Sequence, residues 1–393
     1  MSKALRQYLK NYAETEHKLC LALPITVREH VVVIPACHEH LHFVERLSQH
    51  PQAEALLLIL VLNEHQQSPR QFVEQNQVFK KALLAQAQLI GCQEHVSLLS
   101  FQSLQILLIE RCAERALPPK QGVGLARKIG ADCATALIDQ GSVLSPWIYS
   151  SDADAQLPDN YFSLTKNRTE QQSASAWTFN FKHIGGEADV AKATRLYEYG
   201  LHKWRIQLER AGSLYAYHSL GSALAFNYQA YAQVRGFPKR SAAEDFYLLN
   251  KLAKLQGIAY AEDICINIEA RLSERVPFGT GPAVAQICEQ QRLGEAFTWY
   301  NPKIFIELKK VLSLHNALFA EGINAIHTLE KSSQTALKEA GIESFLAQRS
   351  KQNDSPSSFA RHFQHWFDAF QTLKFIRRLQ TSTYPPTKVE AVL

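Results

Sequence analysis

Two aspartates one residue apart stand out in the middle of the chain, in the segment YSSDADAQLP at 149–158. Asp152 and Asp154 follow an apolar run that predicts a strand, and alternate residues beyond a strand end point the same way. Carboxylate oxygens are suited to Mg²⁺ or Mn²⁺, with substrate phosphates completing the coordination shell. A solvated turn is the other interpretation, because DADAQLPDN is rich in turn-forming residues. The pair alone leaves both interpretations open.

A second acidic pair, Glu244 and Asp245, opens a predicted helix over 241–257. The helix dipole favours an ionised carboxylate at this end, and such a group can act as a general base toward a hydroxyl. Ordinary acidic residues at a helix N-terminus give the same pattern. Further on, Arg271 and Arg275 flank a glycine-containing segment that could close over a diphosphate. Surface arginines beside a turn are the alternative.

A rival motif is present at 38–42, where HEHLH satisfies H-E-x-x-H. In a zinc hydrolase His38 and His42 would bind the metal and Glu39 would activate water. Here His38 directly follows a predicted strand, so the motif would fall on the first turn of a helix instead of within one, which counts against zinc hydrolysis. His218 is a candidate third ligand for a cation at the aspartates, with a hydrogen-bonded structural histidine as the alternative.

Composition narrows the class of protein. The chain has 393 residues, 46% of them hydrophobic and 20% charged, as in soluble globular proteins of two or three domains. A net charge of +5 is too small and diffuse to indicate a nucleic-acid partner. Seven scattered cysteines without a C-x-x-C pair indicate reduced thiols. We expect a cytoplasmic protein without a transmembrane segment, with peripheral contact to a membrane face left open.

Hydrophobic periodicity predicts the elements that position these residues. Strands predicted at 30–36 and 55–63, with a helix between them, form a βαβ unit of an open α/β sheet. The other predicted elements are strands at 145–154 and 174–184, helices at 125–139 and 188–211, a mostly helical stretch at 70–117 with a short strand at 95–99, and a final helix at 357–380. The apolar stripe of that final helix predicts a packing face, with a membrane or partner helix as the alternative.

The order of these features resembles that of the family 2-like glycosyltransferases with the GT-A fold. The features are VVVIPACHE, a strand ending at Asn63, G-x-G-x-A-R-K-x-G at 122–130, the D-A-D triplet, the segment HSLGSALAF and the A-E-D helix. The resemblance covers about residues 30–280. It implies an α/β fold, Rossmann-like, with a mixed sheet flanked by helices and a helical C-terminal region. The predicted domains are an N-terminal helical arm at 1–29, the GT-A-like domain at 30–282 and the helical region at 283–393.

The resemblance implies transfer of a sugar from a nucleotide-diphosphate donor to a hydroxyl acceptor, with a divalent cation and inversion. The acceptor could be a saccharide, a lipid or a small molecule. Pro35, Ala36 and Glu39 match the strand end that holds the base and ribose. Asn63 stands where the family often has an aspartate that meets the base, which leaves the base open.

Further roles are carried over from the later motifs. Arg127 and Lys128 match a segment near the nucleotide, with Lys128 in place of the usual Asn. The remaining matches are Asp152 and Asp154 for the metal, Asp152 also for the donor, Arg271 and Arg275 for the donor, Gly221, Ser222 and Ala223 for the acceptor, and Asp245 with Glu244 for catalysis. A non-catalytic nucleotide-sugar-binding module on the same fold is the remaining alternative.

Overall fold

The computed structural model of the chain describes residues 2–164, 173–271, 279–352 and 354–389. They fall into two units. The α/β unit consists of 1–191 and 219–282, and the helical unit of 192–218 and 283–393. This division differs from the predicted one in two respects. The predicted N-terminal arm lies within the α/β unit, and 192–218 belongs to the helical unit.

The α/β unit alternates strands and helices over most of its length. In chain order the helices are α1 (Lys3–Asn11), α2 (Glu16–Leu21), α3 (His42–Ser48), α4 (Arg70–Gln86), α5 (Gly122–Gln140), α6 (Ala188–Arg210), α7 (Tyr228–Gln233) and α8 (Glu244–Leu252). The strands are β1 (His30–Ala36), β2 (Leu56–Asn63), β3 (Gln88–Gln93), β4 (Val96–Phe101), β5 (Leu104–Arg111), β6 (Trp147–Ser150), β7 (Ala155–Gln156), β8 (Ala176–Ile184), β9 (Leu224–Asn227) and β10 (Ile258–Glu269). Most of α6 belongs to the helical unit.

These strands form one mixed sheet in the order β3-β4-β5-β2-β1-β6-β9-β8-β10-β7. The centre is parallel, since β1 runs parallel to β2 and β6, and β2 runs parallel to β5. Strand β9 is antiparallel to both of its neighbours. Val33 pairs with both Ile59 and Ser150, so the carboxyl ends of β1, β2 and β6 share one edge. The predicted mixed α/β architecture is confirmed.

Helix α5 packs tightly against the centre of this sheet. Every residue of β2 is buried, as expected for a parallel strand covered on both faces. A Cβ added at Gly130 would lie 2.3 Å from Cγ1 of Val33 in β1. Glycine at this position therefore lets the helix approach the strand closely, and α5 is buried along almost its whole length.

The prediction of a mostly helical stretch over 70–117 is wrong beyond α4, although the short strand predicted at 95–99 is present as β4. Residues 88–111 form three strands, with β3 antiparallel to β4 and β4 antiparallel to β5. The run LQILLIER fits a buried strand as well as a helix by its periodicity. It becomes β5 because it pairs with β2, a contact between residues far apart in the sequence.

The helical unit is built mainly from short helices. They are α9 (Thr280–Arg292), α10 (Pro302–Leu312), α11 (His315–Glu321), α12 (Lys331–Glu339), α13 (Ile342–Arg349), α14 (Pro356–Trp366) and α15 (Ala369–Ser382). Strands β11 (Thr298–Trp299) and β12 (Thr387–Lys388) pair with each other. No helix within the described ranges combines the length and the apolar character needed to cross a membrane.

The final helix predicted over 357–380 is in fact two helices, α14 and α15. The Asp368 side chain caps α15 by accepting hydrogen bonds from the backbone N–H groups of Phe370 and Gln371. Such a cap satisfies free donors at a helix start and fixes the break there. Phe359 and Phe363 of the predicted stripe are buried in the core of the helical unit, so the stripe is a packing face.

We predict that Gly130→Ala destabilises the protein by about 1–3 kcal/mol, because the added methyl group overpacks the contact between α5 and β1. Urea unfolding followed by tryptophan fluorescence measures the change. Gln140→Ala, at the exposed end of the same helix, should change stability by no more than about 0.5 kcal/mol. Adding Val33→Ala should recover part of the loss. An unchanged midpoint for Gly130→Ala would show that the helix can shift freely.

Candidate active site

The acidic residues predicted from the sequence lie at the carboxyl edge of the sheet. Asp152 comes two residues after β6, and Asp154 directly precedes β7. The backbone N–H of Ala155 donates to the carbonyl of Asp152, which closes a turn. Ligands of open α/β sheets bind outside this edge, so the turn stands where a substrate would be expected.

Arg127 of α5 joins the separate parts of this edge. Its Nη2 lies 2.6 Å from Oδ1 of Asp152, and its Nε donates to Oε1 of Glu244 at 2.8 Å. Its Nη1 donates to the Ser150 hydroxyl and the Ser151 carbonyl. Burial alone would lower the pKa of Arg127, but Asp152 and Glu244 raise it above its ordinary value. Arg127 is only 3% exposed, and each of its side-chain nitrogens donates to the protein. It therefore holds the Asp152 carboxylate from the buried side.

The predicted acceptor loop lies against the same arginine. A Cβ added at Gly221 would meet Nη2 of Arg127 at 2.3 Å, and the Gly221 carbonyl accepts a hydrogen bond from Ser150. Ser222 and Ala223 are buried and lead directly into β9. Glycine is therefore required here by a close approach to a charged side chain. Contact of this loop with an acceptor stays a prediction.

Asp245 occupies the first turn of α8, next to Glu244. Its Oδ1 accepts a hydrogen bond from the backbone N–H of Phe246 at 2.7 Å. Burial and Glu244 raise the pKa of Asp245 while Arg127 and the backbone N–H of Phe246 lower it, and together they raise it to about 7. A carboxyl group that titrates near neutral pH is matched to general-base catalysis. The role of this residue as a base stays a prediction, and its shifted pKa follows from the burial and the neighbours that the fold supplies.

Arg271 binds the second aspartate of the D-A-D triplet. Its Nε and Nη2 donate to Oδ2 of Asp154 at 3.1 and 2.8 Å. Its Nη1 and Nη2 donate to the Glu39 carboxylate at 3.3 and 2.9 Å. The structure thus brings Glu39, Asp154 and Arg271 together. Arg275 lies outside the described residues.

The strand ends predicted to hold a nucleoside lie side by side. Pro35 and Ala36 end β1, and Asn63 ends β2. The Asn63 amide donates to the carbonyls of Ala36 and Val61, both at 3.0 Å. This amide ties the two strands together at the edge where the site lies. Contact of these residues with a base or ribose stays a prediction.

Lys128 does not lie with the predicted site residues at the sheet edge, so the prediction that it contacts the sugar donor is corrected. Its ammonium is buried and donates to the Tyr8 hydroxyl and to Asp132. Successive residues of a helix point about 100° apart, so Lys128 cannot face the same way as Arg127. Lys128 instead holds the N-terminal arm against α5.

The zinc-hydrolase alternative is wrong. Helix α3 begins only at His42, so His38 and His42 do not lie one turn apart on a helix. His38 has a φ of 58°, and its ring stacks on that of Phe72 with 4.3 Å between the ring centroids.

His218, the candidate third ligand for a cation at the aspartates, lies in the helical unit, where its ring packs on that of His202. Burial lowers the pKa of His218 to about 3, so it is neutral.

Several contributors to the site were missed from the sequence. Ser150 and Ser151 orient Arg127, and Arg46 of α3 donates to the carbonyls of Ala153 and Ala155. Arg46 thereby holds the D-A-D turn in place. The two serines stand at a predicted strand end, which was a usable signal. Nothing in the local sequence around Arg46 points to this contact.

The side chains at this edge supply only part of the coordination shell of a divalent cation. Within the described ranges, no group of three or more His, Cys, Asp or Glu side chains is arranged to hold a metal ion. Asp152 and Asp154 supply hard oxygens, although each has one oxygen bonded to an arginine. Mg²⁺ is commonly held by one or two carboxylates together with substrate phosphates. The pair therefore fits a cation that a phosphate-bearing substrate helps to bind.

No family model matches the chain, and neither does any curated protein. Among solved structures, the chain is similar to those of S. aureus TarS and GalNAc-T7. S. aureus TarS 1-349 in complex with UDP-GlcNAc has 11% identity and a TM-score of 0.41, and covers 86% of this chain and 89% of that chain.

A second similar structure is GalNAc-T7 with UDP, GalNAc and Mn²⁺. It has 12% identity and a TM-score of 0.38, and covers 74% of this chain and 51% of that chain. S. aureus TarS 1-349 in complex with UDP has 9% identity and a TM-score of 0.38, over 83% of this chain and 92% of that chain. These identities and TM-scores assign no activity to this chain.

We predict that Asp245→Asn gains stability relative to the wild type as the pH rises. Because the folded-state pKa is raised from about 3.9 to about 7, the fold favours the protonated carboxyl. That stabilising contribution is complete below about pH 4 and is lost as the pH approaches 7. Thermal midpoints of both proteins from pH 4 to pH 8 test this. A constant difference across that range would show that Asp245 titrates normally.

Proposed function

We propose that this chain is a glycosyltransferase that moves a sugar from a nucleotide-diphosphate donor to a hydroxyl acceptor. The observation that carries the proposal is the grouping of Asp245, with its pKa near 7, and the arginine-held Asp152 at the carboxyl edge of the sheet. Sugar transfer needs a base for the acceptor and a means of stabilising the departing diphosphate. This edge offers groups for both.

Asp245 is the proposed base. As the acceptor oxygen forms its bond to the anomeric carbon, Asp245 takes the hydroxyl proton, and the bond between that carbon and the diphosphate oxygen breaks. A single displacement of this kind inverts the anomeric centre. Arg127 bonds Glu244 and lowers the pKa of Asp245, which opposes the effect of burial and keeps the group able to titrate near neutral pH.

Asp152 and Asp154 are the proposed ligands of a divalent cation, Mg²⁺ or Mn²⁺. When bound, the cation would neutralise charge on the leaving diphosphate. Arg127 fixes the direction of the Asp152 carboxylate, and Arg46 fixes the backbone of the turn between the two aspartates. The chain therefore holds this carboxylate pair in place before any substrate arrives.

The nucleoside is proposed to lie over the ends of β1 and β2, where Pro35, Ala36, Glu39 and Asn63 are found. The loop from Gly221 to Ala223 is proposed to shape the acceptor side. Arg271, beyond the end of β10, is proposed to meet the diphosphate, since a guanidinium matches phosphate oxygens with a pair of donors.

We predict that a nucleoside diphosphate together with Mn²⁺ raises the thermal midpoint. Ligand at a hundred times its Kd would stabilise the fold by about 2.7 kcal/mol. Differential scanning fluorimetry with UDP, GDP, CDP and dTDP, with and without Mn²⁺, measures the shift. Asp152→Asn combined with Asp154→Asn should remove the part that depends on Mn²⁺. The absence of a shift with every nucleotide, with or without Mn²⁺, would contradict the proposal.

We predict that Asp245→Asn lowers the rate of sugar transfer by about 10²–10⁴-fold, because the amide cannot accept the acceptor proton. Donor affinity should change little, since Asp245 is assigned to the acceptor. Transfer and donor binding are measured separately, with the nucleotide that gives the largest thermal shift. Asp159→Asn, an exposed aspartate near the D-A-D turn, is the matched control and should keep wild-type turnover. Near-native turnover in Asp245→Asn would exclude it as the base.

A further inference from the structure

Both carboxylates proposed to hold the cation are already bonded to a guanidinium group. Asp152 is bonded to Arg127 at 2.6 Å, and Asp154 is bonded to Arg271 at 2.8 Å. Like charges a few ångströms apart repel strongly in a partly desolvated site. A cation at the aspartates must therefore be tolerated by both arginines, or one arginine must give up its carboxylate.

The two arginines differ in their freedom to move. Arg127 is buried and also bonds Glu244, Ser150 and Ser151, so its departure would leave buried charge unpaired. The side chain of Arg271 is 34% exposed and lies just beyond the end of β10. A partly exposed arginine pays little to exchange one anion for another. Arg271 is the group that can yield.

Glu39 gives Arg271 a second point of attachment. One edge of the guanidinium, through Nε and Nη2, meets Asp154, while Nη1 and Nη2 meet the Glu39 carboxylate. Arg271 can therefore release Asp154 and keep its bond to Glu39. The edge of the guanidinium that is freed, with Nε and Nη2, then has the geometry to donate to two phosphate oxygens.

We propose that Arg271 is a positioning residue that exchanges Asp154 for the donor diphosphate, and so makes cation and donor bind cooperatively. This rests on the proposed function. Without the donor, Arg271 competes with the cation for Asp154, so the cation binds weakly by itself. With the donor present, the displaced guanidinium gains a phosphate partner, and each ligand strengthens the binding of the other.

The test compares wild type, Arg271→Gln and Arg271→Lys in two binding measurements that need no turnover. Electron paramagnetic resonance gives the affinity for Mn²⁺ alone, and calorimetry gives the affinity for UDP, GDP, CDP and dTDP in saturating Mn²⁺. Arg70→Gln is the matched control, because Arg70 is a largely exposed arginine of the same unit that pairs with Glu74 of its own helix. Thermal midpoints check that each variant is folded.

Arg271→Gln should bind Mn²⁺ alone at least about fivefold more tightly than the wild type, and the nucleoside diphosphate at least about fivefold more weakly, as expected for a coupling of this kind. Arg271→Lys keeps the positive charge but lacks the paired donors of the guanidinium. The lysine should therefore still compete with Mn²⁺ for Asp154, while affinity for the diphosphate is lost. A purely structural role for Arg271 would instead weaken both ligands.

Two results would overturn the proposal in distinguishable ways. If the wild type binds nucleoside diphosphates with Mn²⁺ while Arg271→Gln binds Mn²⁺ alone no more tightly than wild type, Arg271 is not the competitor and the proposed function stands. If the wild type binds none of the four nucleotides, with or without Mn²⁺, the proposed function and the exchange fail together.

Discussion

The buried guanidinium of Arg127 is the interaction on which the site depends. It links its own helix, α5, to two stretches that are distant in sequence, the end of β6 through Ser150 and Asp152 and the start of α8 through Glu244. A charge so deeply buried is tolerated only when its donors are all used. The positions of the strand end and of α8 are therefore set by one side chain. Gly221 adds to this constraint because any larger residue would displace the arginine.

The electrostatics of the site follow from the same arrangement. The guanidinium groups of Arg127 and Arg271 interact with five carboxyl groups, those of Glu39, Asp152, Asp154, Glu244 and Asp245. An excess of negative charge at the edge of a sheet attracts cations. It also contributes at Asp245, where burial, Glu244 and Asp152 raise the pKa while Arg127 and the backbone N–H of Phe246 lower it. Incomplete compensation of the carboxylates therefore adds to the effect of burial in raising the pKa of Asp245.

The sequence predicted those parts of the fold and the site that depend on local pattern. The strands β1 and β2, the helix between them and the position of Asp245 on the first turn of α8 were read from apolar runs and helix signals. The prediction failed where contacts between residues far apart in the sequence, or a single capping side chain, decide the structure. The run that forms β5 became a strand because it pairs with β2, and α14 and α15 separate where Asp368 caps the second helix.

The direction of side chains was harder to predict than the identity of the residues. Arg127 and Lys128 were assigned together to the donor, since both match one segment of a motif. On a helix they must point apart, and only packing decides which of them faces the sheet edge. Likewise, H-E-x-x-H carries its zinc meaning only on a helix, and the left-handed backbone at His38 ends that interpretation.

Helix α5 links the stability of the N-terminal arm to the geometry of the site. Its Lys128 and Asp132 form a buried cluster with Tyr8 of α1 and Tyr231 of α7. Burial raises the pKa of Asp132 above its ordinary value, while Lys128 lowers it, so the cluster depends on every partner being present. The residue next to Lys128 is Arg127. Both side chains belong to one turn of one helix, so the contacts of Lys128 with the N-terminal arm and of Arg127 with Asp152 hold the same turn of α5.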